Sequence, residues 1–310
     1  MNGLTCGLLT LIIQDLIIQG KHMTIKRREL LLGGSAALGL SLTGCAARRS
    51  AASLALDLND PQDRLTALAK LRGSVDGTPV MWWMKGMRFG VVDDVVEPLF
   101  GMLIGSFQTM QPVAEGYMLN MLELSYFTDL KTGEVLDTFV NPYNGKTLTV
   151  PEQRLGPYPV LLRSNGVVLP DVPAFGDIEL TTRVGPAIVH GDDVWIRDDS
   201  TVKVDSDHPM MGKHTYNELV TYRGKLADIN NPDLPAAPAE IMFQSVTSWR
   251  EWFQADDVDG LTTARATGTK IFSLDEFPPE YLAAARERHP EIIKDPLAML
   301  NAPPKAPGSH

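Results

Sequence analysis

Between Tyr117 and Val150 the chain alternates apolar runs with two glycine-containing turns, and this constrains its fold more than any other stretch. Tyr117–Thr128 is a long apolar run, Lys131-Thr132-Gly133 a tight turn and Glu134–Val140 a second run. Asn141-Pro142-Tyr143-Asn144-Gly145 then turns the chain into Lys146–Val150. Gly133 and Gly145 stand where a hairpin turn needs a positive φ, so the pattern predicts a three-stranded meander. Further strands are expected at Val80–Phe89, Ile178–Val184, Ala187–Arg197, Ser200–Val204, Thr215–Leu226, Ile241–Trp252 and Leu261–Phe272. Gly191-Asp192-Asp193 and Asp198-Asp199 read as turns between them, and Asp228–Ala239 as a Pro/Asn-rich loop. A helix should start at Asn59-Asp60-Pro61, carry Leu65, Leu68 and Leu71 on one face and stop at Gly73. Another is expected over Pro278–Arg288. The fold class that follows is mainly β: a single antiparallel β-barrel or rolled sheet with a short helix near each end. A closed sheet of that size can hold a small ligand.

The first 45 residues belong to a different argument. Lys26-Arg27-Arg28, the apolar stretch Leu30–Leu42 and Leu42-Thr43-Gly44-Cys45 have the order of an export leader: basic, apolar, small. The apolar stretch is shorter than the ~20 residues a membrane span needs. Arg27 and Arg28 resemble a twin-arginine signal, with Lys26 where Ser or Thr is usual, so the general secretory route stays open. Leu-Thr-Gly-Cys resembles a bacterial lipobox and makes Cys45 the expected lipidation site. Such a protein would be anchored to the cell envelope on its periplasmic face, with the membrane as partner through the lipid. Residues 1–22 precede a second start, Met23, and read as a start-site artefact. The expected organisation is leader 1–45, tether 46–56, β domain 57–297 and disordered tail 298–310.

Of 28 basic and 38 acidic residues, the leader holds four and two, which leaves 24 against 36 beyond Cys45. A surface with that excess of carboxylates repels phosphate backbones, so nucleic acid is not an expected partner. Cys6 and Cys45 are the only cysteines, so no disulfide or thiolate metal site is available to the domain. The chain has no P-loop, dinucleotide-binding glycine pattern, Gly-x-Ser-x-Gly or His-Glu-x-x-His. No cofactor is therefore expected.

The segments Asp60-Pro61, Lys70-Leu71-Arg72-Gly73-Ser74 and Pro98-Leu99-Phe100 resemble the opening of a known family. Its centre is matched by Tyr126-Phe127-Thr128-Asp129, Thr132-Gly133-Glu134-Val135-Leu136 and Asn141-Pro142-x-x-Gly145. Ser248-Trp249-x-x-Trp252, Gly268-x-Lys270 and the Pro278 helix resemble its end. The family is catalogued as domain of unknown function 1838 and is often found behind twin-arginine leaders. The resemblance covers about residues 57–297 and implies no assigned activity and no catalytic residue.

Candidate chemistry comes from period-two counting. On Thr215–Leu226, Tyr216, Glu218, Val220 and Tyr222 share one face. A carboxyl among tyrosines and apolar neighbours has a raised pKa and suits acid–base work; a structural, hydrogen-bonded Glu is the plainer alternative. Glu123 shares its face with Met121 and Phe127, and Arg88 with Trp82 and Met84, which makes Arg88 the natural buried partner of such a carboxylate. Glu218 and Glu123 are thus the catalytic candidates, and Arg88, Trp82, Tyr216, Tyr222 and Trp249 the ligand-binding ones. Trp82, Trp83, Trp249 and Trp252 with Met81, Met84 and Met87 could line one apolar pocket or simply fill a core. His190, His208 and His214, with Asp192, Asp193, Asp205 and Asp207, match no metal-site spacing and read as turn residues on an acidic rim. The reading that results is an exported lipoprotein binding a small apolar ligand in a barrel cavity. A cofactor-independent hydrolase, lyase or isomerase on a small hydrophobic substrate is the alternative, and an envelope protein with a filled core is a third.

Overall fold

A computed structural model describes residues 55–169, 177–205 and 212–302. Asp60 accepts hydrogen bonds from the backbone N–H groups of Gln62 and Asp63, and Pro61 opens helix α1 (Pro61–Arg72). The strands are β1 (Val80–Val92), β2 (Val95–Val113), β3 (Gly116–Thr128), β4 (Thr138–Val140), β5 (Thr147–Thr149), β6 (Gln153–Arg163) and β7 (Gly166–Val168). They continue as β8 (Asp177–Val184), β9 (Ile188–His190), β10 (Asp193–Asp205), β11 (Lys213–Lys225), β12 (Ala239–Ser248) and β13 (Gly260–Ile271). Helix α2 (Leu226–Asn230) follows β11, and α3 (Pro279–Arg288), α4 (Pro290–Lys294) and α5 (Pro296–Leu300) follow β13.

Ten strands form one nearly closed antiparallel sheet in the order β7-β6-β3-β2-β1-β13-β12-β11-β10-β8, with β9 added to β10. The fold is the mainly β barrel expected of the sequence. First and last strands meet in it: Met81 lies opposite Ile271 and Arg88 opposite Ala264. The remaining seam, between β7 and β8, is bridged through one side chain. Thr182 Oγ1 accepts from the Val167 N–H (2.8 Å) and donates to the Val167 carbonyl (3.1 Å).

Alternation along each strand separates two apolar clusters. Trp82, Met84, Phe100, Met102, Leu119, Phe127, Val160, Ile196, Val220 and Ile241 point inward. Met81, Leu103, Phe107, Leu122, Leu124 and Tyr126 point outward beneath Phe277, Tyr281 and Leu282, so α3 and its successors cover the outer face of β1–β3. A side chain at Gly105 would strike the Tyr281 ring, which is why that strand position is glycine. One end of the barrel is plugged by α1, whose Leu65, Leu68 and Leu71 join the inner cluster. The other is capped by residues 129–150 and 249–258 through a set of aromatic rings. Phe100 lies 4.3 Å from Phe127 and 5.3 Å from Phe139, and Trp249 stacks on Phe253 at 5.1 Å. Among the described residues no helix is long and apolar enough to cross a membrane.

Several expectations need correction. The three-stranded meander does not form. The turns are where expected, with φ of 75° at Gly133 and 71° at Gly145. After one bridge, Thr128 to Val135, the chain leaves the sheet, and β4 and β5 make a separate hairpin. The edge of β3 that a meander would use is taken by β6. Asp198-Asp199 is no turn: β10 runs through it, because Asp198 faces inward to an arginine and Asp199 outward to Arg183. The longest strand, β2, was not expected, since Pro98, Gly101, Gly105 and Pro112 interrupt any alternation along it. Of the tail expected from 298, residues 298–300 belong to α5, whose Leu300 is buried in the outer apolar cluster, and residues 303–310 lie outside the described residues.

Candidate functional site

Strand register brings the inward polar residues together in the middle of the barrel. Ser106 of β2 lies opposite Glu123 of β3. Glu218 of β11 lies between Ser200 and Ser245, and Tyr216 lies opposite Thr247. The sheet shifts register beside two of these residues, opposite Arg88 on β2 and at Gly156-Pro157 of β6 beside Glu123. Bulges of this kind re-aim side chains and gather near functional sites.

The Tyr216 hydroxyl donates to Glu218 Oε2 at 2.9 Å, and Ser125 Oγ donates to Glu123 Oε1 at 2.9 Å. Burial pushes the Glu123 carboxyl up to about 7, the nearby Glu218 charge adds to this, and the Ser125 bond opposes it. Burial also raises Glu218, against the Tyr216 bond and the Arg72 charge. Tyr158 and Tyr216 are held far above the usual phenol range, first by burial and then by the two carboxyls. All four groups are surrounded by protein, yet each keeps part of its surface open. By strand alternation these side chains face the interior of a nearly closed sheet. Gln108 Oε1, Ser245 Oγ and Thr247 Oγ1, also on inward faces, are buried without a hydrogen-bond partner among the described residues.

Arg88 does not meet a carboxylate. Its Nη1 donates to Thr262 Oγ1 at 3.1 Å, and its neighbour across Tyr216 is Arg250, whose guanidinium lies 5.9 Å over the Tyr216 ring. Burial lowers Arg88 to about 10 and lowers Arg250, and the Arg250 charge lowers Arg88 further.

The other ligand-binding candidates lie elsewhere. Trp82 and Tyr222 pack together at the plugged end, 5.5 Å between ring centroids, where the Trp82 indole N–H donates to the Arg72 carbonyl. Trp249 belongs to the aromatic cap, 5.5 Å from Tyr143. The Trp/Met set therefore makes no single wall. Trp82 and Met84 point in at one end, Trp249 and Trp252 close the other, and Met81 and Trp83 face outward towards α3. His190 is exposed and His214 buried, while His208 and Asp207 lie outside the described residues. Among the described residues no group of His, Cys, Asp and Glu could hold a metal ion.

Sequence reasoning missed Arg72, Tyr158, Asp198 and Arg250. Prolines on either side of Tyr158 hide its strand, and Asp198 reads as a turn. Arg250 carried a usable signal: it stands between Trp249 and Trp252, where a guanidinium can lie against an aromatic ring.

A hollow of about 670 Å³ opens outside the barrel between β3, β6 and α3–α5, lined by Tyr126, Leu136, Glu152, Arg154, Arg288 and His289. His289 lies 2.8 Å from the Tyr126 hydroxyl through Nδ1 and 2.5 Å from Glu152 through Nε2. Arg288 pairs with Asp137 and Arg154 with Glu291. Each charged group named here has an ion-pair partner, although Arg154 Nη2 is buried without a hydrogen bond; Arg88 and Arg250 have no ion-pair partner among the described residues, so the interior is the stronger candidate.

No curated protein matches this chain. A family model described as "Protein of unknown function (DUF1838)" matches residues 77–306, a span that holds β1 to α5 and every inward polar residue named above except Arg72. With most of its length matched in this way, the chain belongs to that family.

Proposed function

We propose that the barrel is a receptor for a small molecule, on a protein exported to the cell envelope and held there by a lipid on Cys45. One observation carries the receptor reading: Glu123, Tyr158, Tyr216 and Glu218 are enclosed by protein but keep open surface, and three buried polar atoms on inward faces have no partner among the described residues. A filled core leaves neither, because buried polar groups without partners are costly. Phe100, Phe127 and Trp252, the last 6.4 Å from Phe100, supply apolar contact at the capped side. Native mass spectrometry of protein isolated from its own host, beside a thermal-shift screen of small amphiphiles, tests this. A co-purifying or stabilising molecule whose effect is lost in Ser245→Leu supports it. No such molecule, with Ser245→Leu more stable than wild type, means a filled core.

Acid–base catalysis is a second reading, favoured by the Glu123 carboxyl near 7 and by the Tyr216–Glu218 pair in the same space. Glu218→Gln would then keep ligand binding and lose turnover. Equal turnover in the variant would end that reading. Export and anchoring rest on Arg27, Arg28 and the Leu42–Cys45 box, which lie outside the described residues. Cells fed a fatty-acid probe should label the wild type and not Cys45→Ser; equal labelling removes the anchor.

A further inference from the structure

We infer that the interior site takes a carboxylate: a small acid with an apolar body, its carboxylate held between Arg88 and Arg250. This rests on the receptor reading and names the chemistry of the ligand.

The argument is one of unmatched donors. Among the described residues Arg88 Nε is buried with no acceptor, and its guanidinium donates one hydrogen bond, from Nη1 to Thr262 Oγ1. Arg250 meets the Tyr216 ring face. Among the described residues no carboxylate lies within ion-pair distance of either. The carboxyls around Tyr216 do not supply the missing charge. Glu218 is tied to the Tyr216 hydroxyl, Glu123 to Ser125, and burial favours the neutral form of both. The hydroxyls of Ser245 and Thr247, both fully buried, add two more donors without acceptors. Two enclosed guanidiniums, Arg88 on β1 and Arg250 just after β12, and two idle hydroxyls on β12 lack an anion.

Its shape follows from the surroundings. A planar carboxylate matches the guanidinium fork with two parallel bonds. Phe100 lies directly opposite Arg88 on β2, and Phe127 and Trp252 continue the apolar surface from it. The head of the acid is therefore placed beside Arg88 and its body along these rings.

Full-length protein is titrated with decanoate, benzoate and 3-phenylpropionate, each beside its matched neutral alcohol, and with inorganic phosphate, following the melting temperature. At least one acid should raise it while its alcohol does not, and Arg88→Met or Arg250→Met should weaken that acid at least tenfold. An independent readout needs no ligand: Arg88→Met should melt at or above the wild-type temperature, because it removes a charge that lacks a counter-ion. A markedly lower melting temperature for ligand-free Arg88→Met overturns the inference, since the arginine is then structural. Alcohols acting as strongly as acids overturn it too and leave the receptor reading standing. Phosphate acting as strongly as the acids replaces the apolar acid with a bare anion and overturns it as stated. If neither acids nor alcohols act, and native mass spectrometry finds no bound molecule, both readings fall.

Discussion

The two halves of the barrel interior treat buried charge in opposite ways. At the plugged end each buried cation named here donates to a carboxylate or to backbone carbonyls, although Arg72 Nε lacks a partner among the described residues. Arg72 meets Asp198 at 2.6 Å, with both side chains almost fully buried. The Lys270 ammonium donates to the carbonyls of Lys70 (2.6 Å), Gly73 (2.9 Å) and Ala237 (2.9 Å), where the C-terminal dipole of α1 also favours a cation. Lys70 does the same for Ile229 and Asn231. Towards the cap, among the described residues Arg88 and Arg250 have no such partners, and burial lifts the Glu123 carboxyl to about 7. Matched charges hold a plug in place. Unmatched ones are tolerated only where something other than stability keeps them, and this separates the structural end from the working middle.

The sharpest way to break this contrast is at Asp198. Asp198→Ala should leave Arg72 buried and unpaired and cost about 3–5 kcal/mol in urea unfolding. A cost below about 1 kcal/mol would erase the distinction between the ends. Lys270→Met removes the donor shared by three carbonyls and should cost about 3 kcal/mol by the same measurement. In the middle, the sign turns with pH. The Glu123 carboxyl titrates near 7 in the folded chain and, unfolded, near the ordinary value of about 4.3. Below about pH 4 both states are protonated and the favourable contribution is complete. As pH rises to 7 the unfolded chain ionises first, so stability is lost across that window, by about 2–3 kcal/mol. Glu123→Gln should flatten that slope and be the more stable protein at pH 8; parallel pH profiles for the two would refute it. Tyr216→Phe is the smallest change. It should cost about 1 kcal/mol through the lost bond to Glu218 and raise the Glu218 pKa further, read by carboxyl NMR titration.

Much of the architecture was legible because half-buried strands declare themselves by alternation. Thr215–Leu226 and Leu261–Phe272 lie within a residue or two of β11 and β13, and Asp60-Pro61 starts its helix. Where proline and glycine break the alternation, as at Pro98, Gly101 and Gly105 of β2, the strand disappears from the pattern although the sheet holds it firmly. The site was legible by halves for a similar reason. Counting by twos sets Glu218, Tyr216, Glu123 and Arg88 on inner faces. It cannot say which strands are neighbours, so the partnership of Arg72 with Asp198 and of Arg88 with Arg250 belongs to register and not to sequence.

The meeting of β1 and β13 also shapes how the molecule is made. Met81 can find Ile271 only after nearly all of the chain has been synthesised. Until then β1 carries an open edge, and β2 and β3 build on its other side alone. Contacts this distant in sequence slow folding and leave partly assembled sheets prone to associate. A nascent chain stalled before Gly260 is therefore an unfinished ribbon rather than a smaller barrel. The carboxy-terminal strand is the part that decides whether anything upstream becomes soluble.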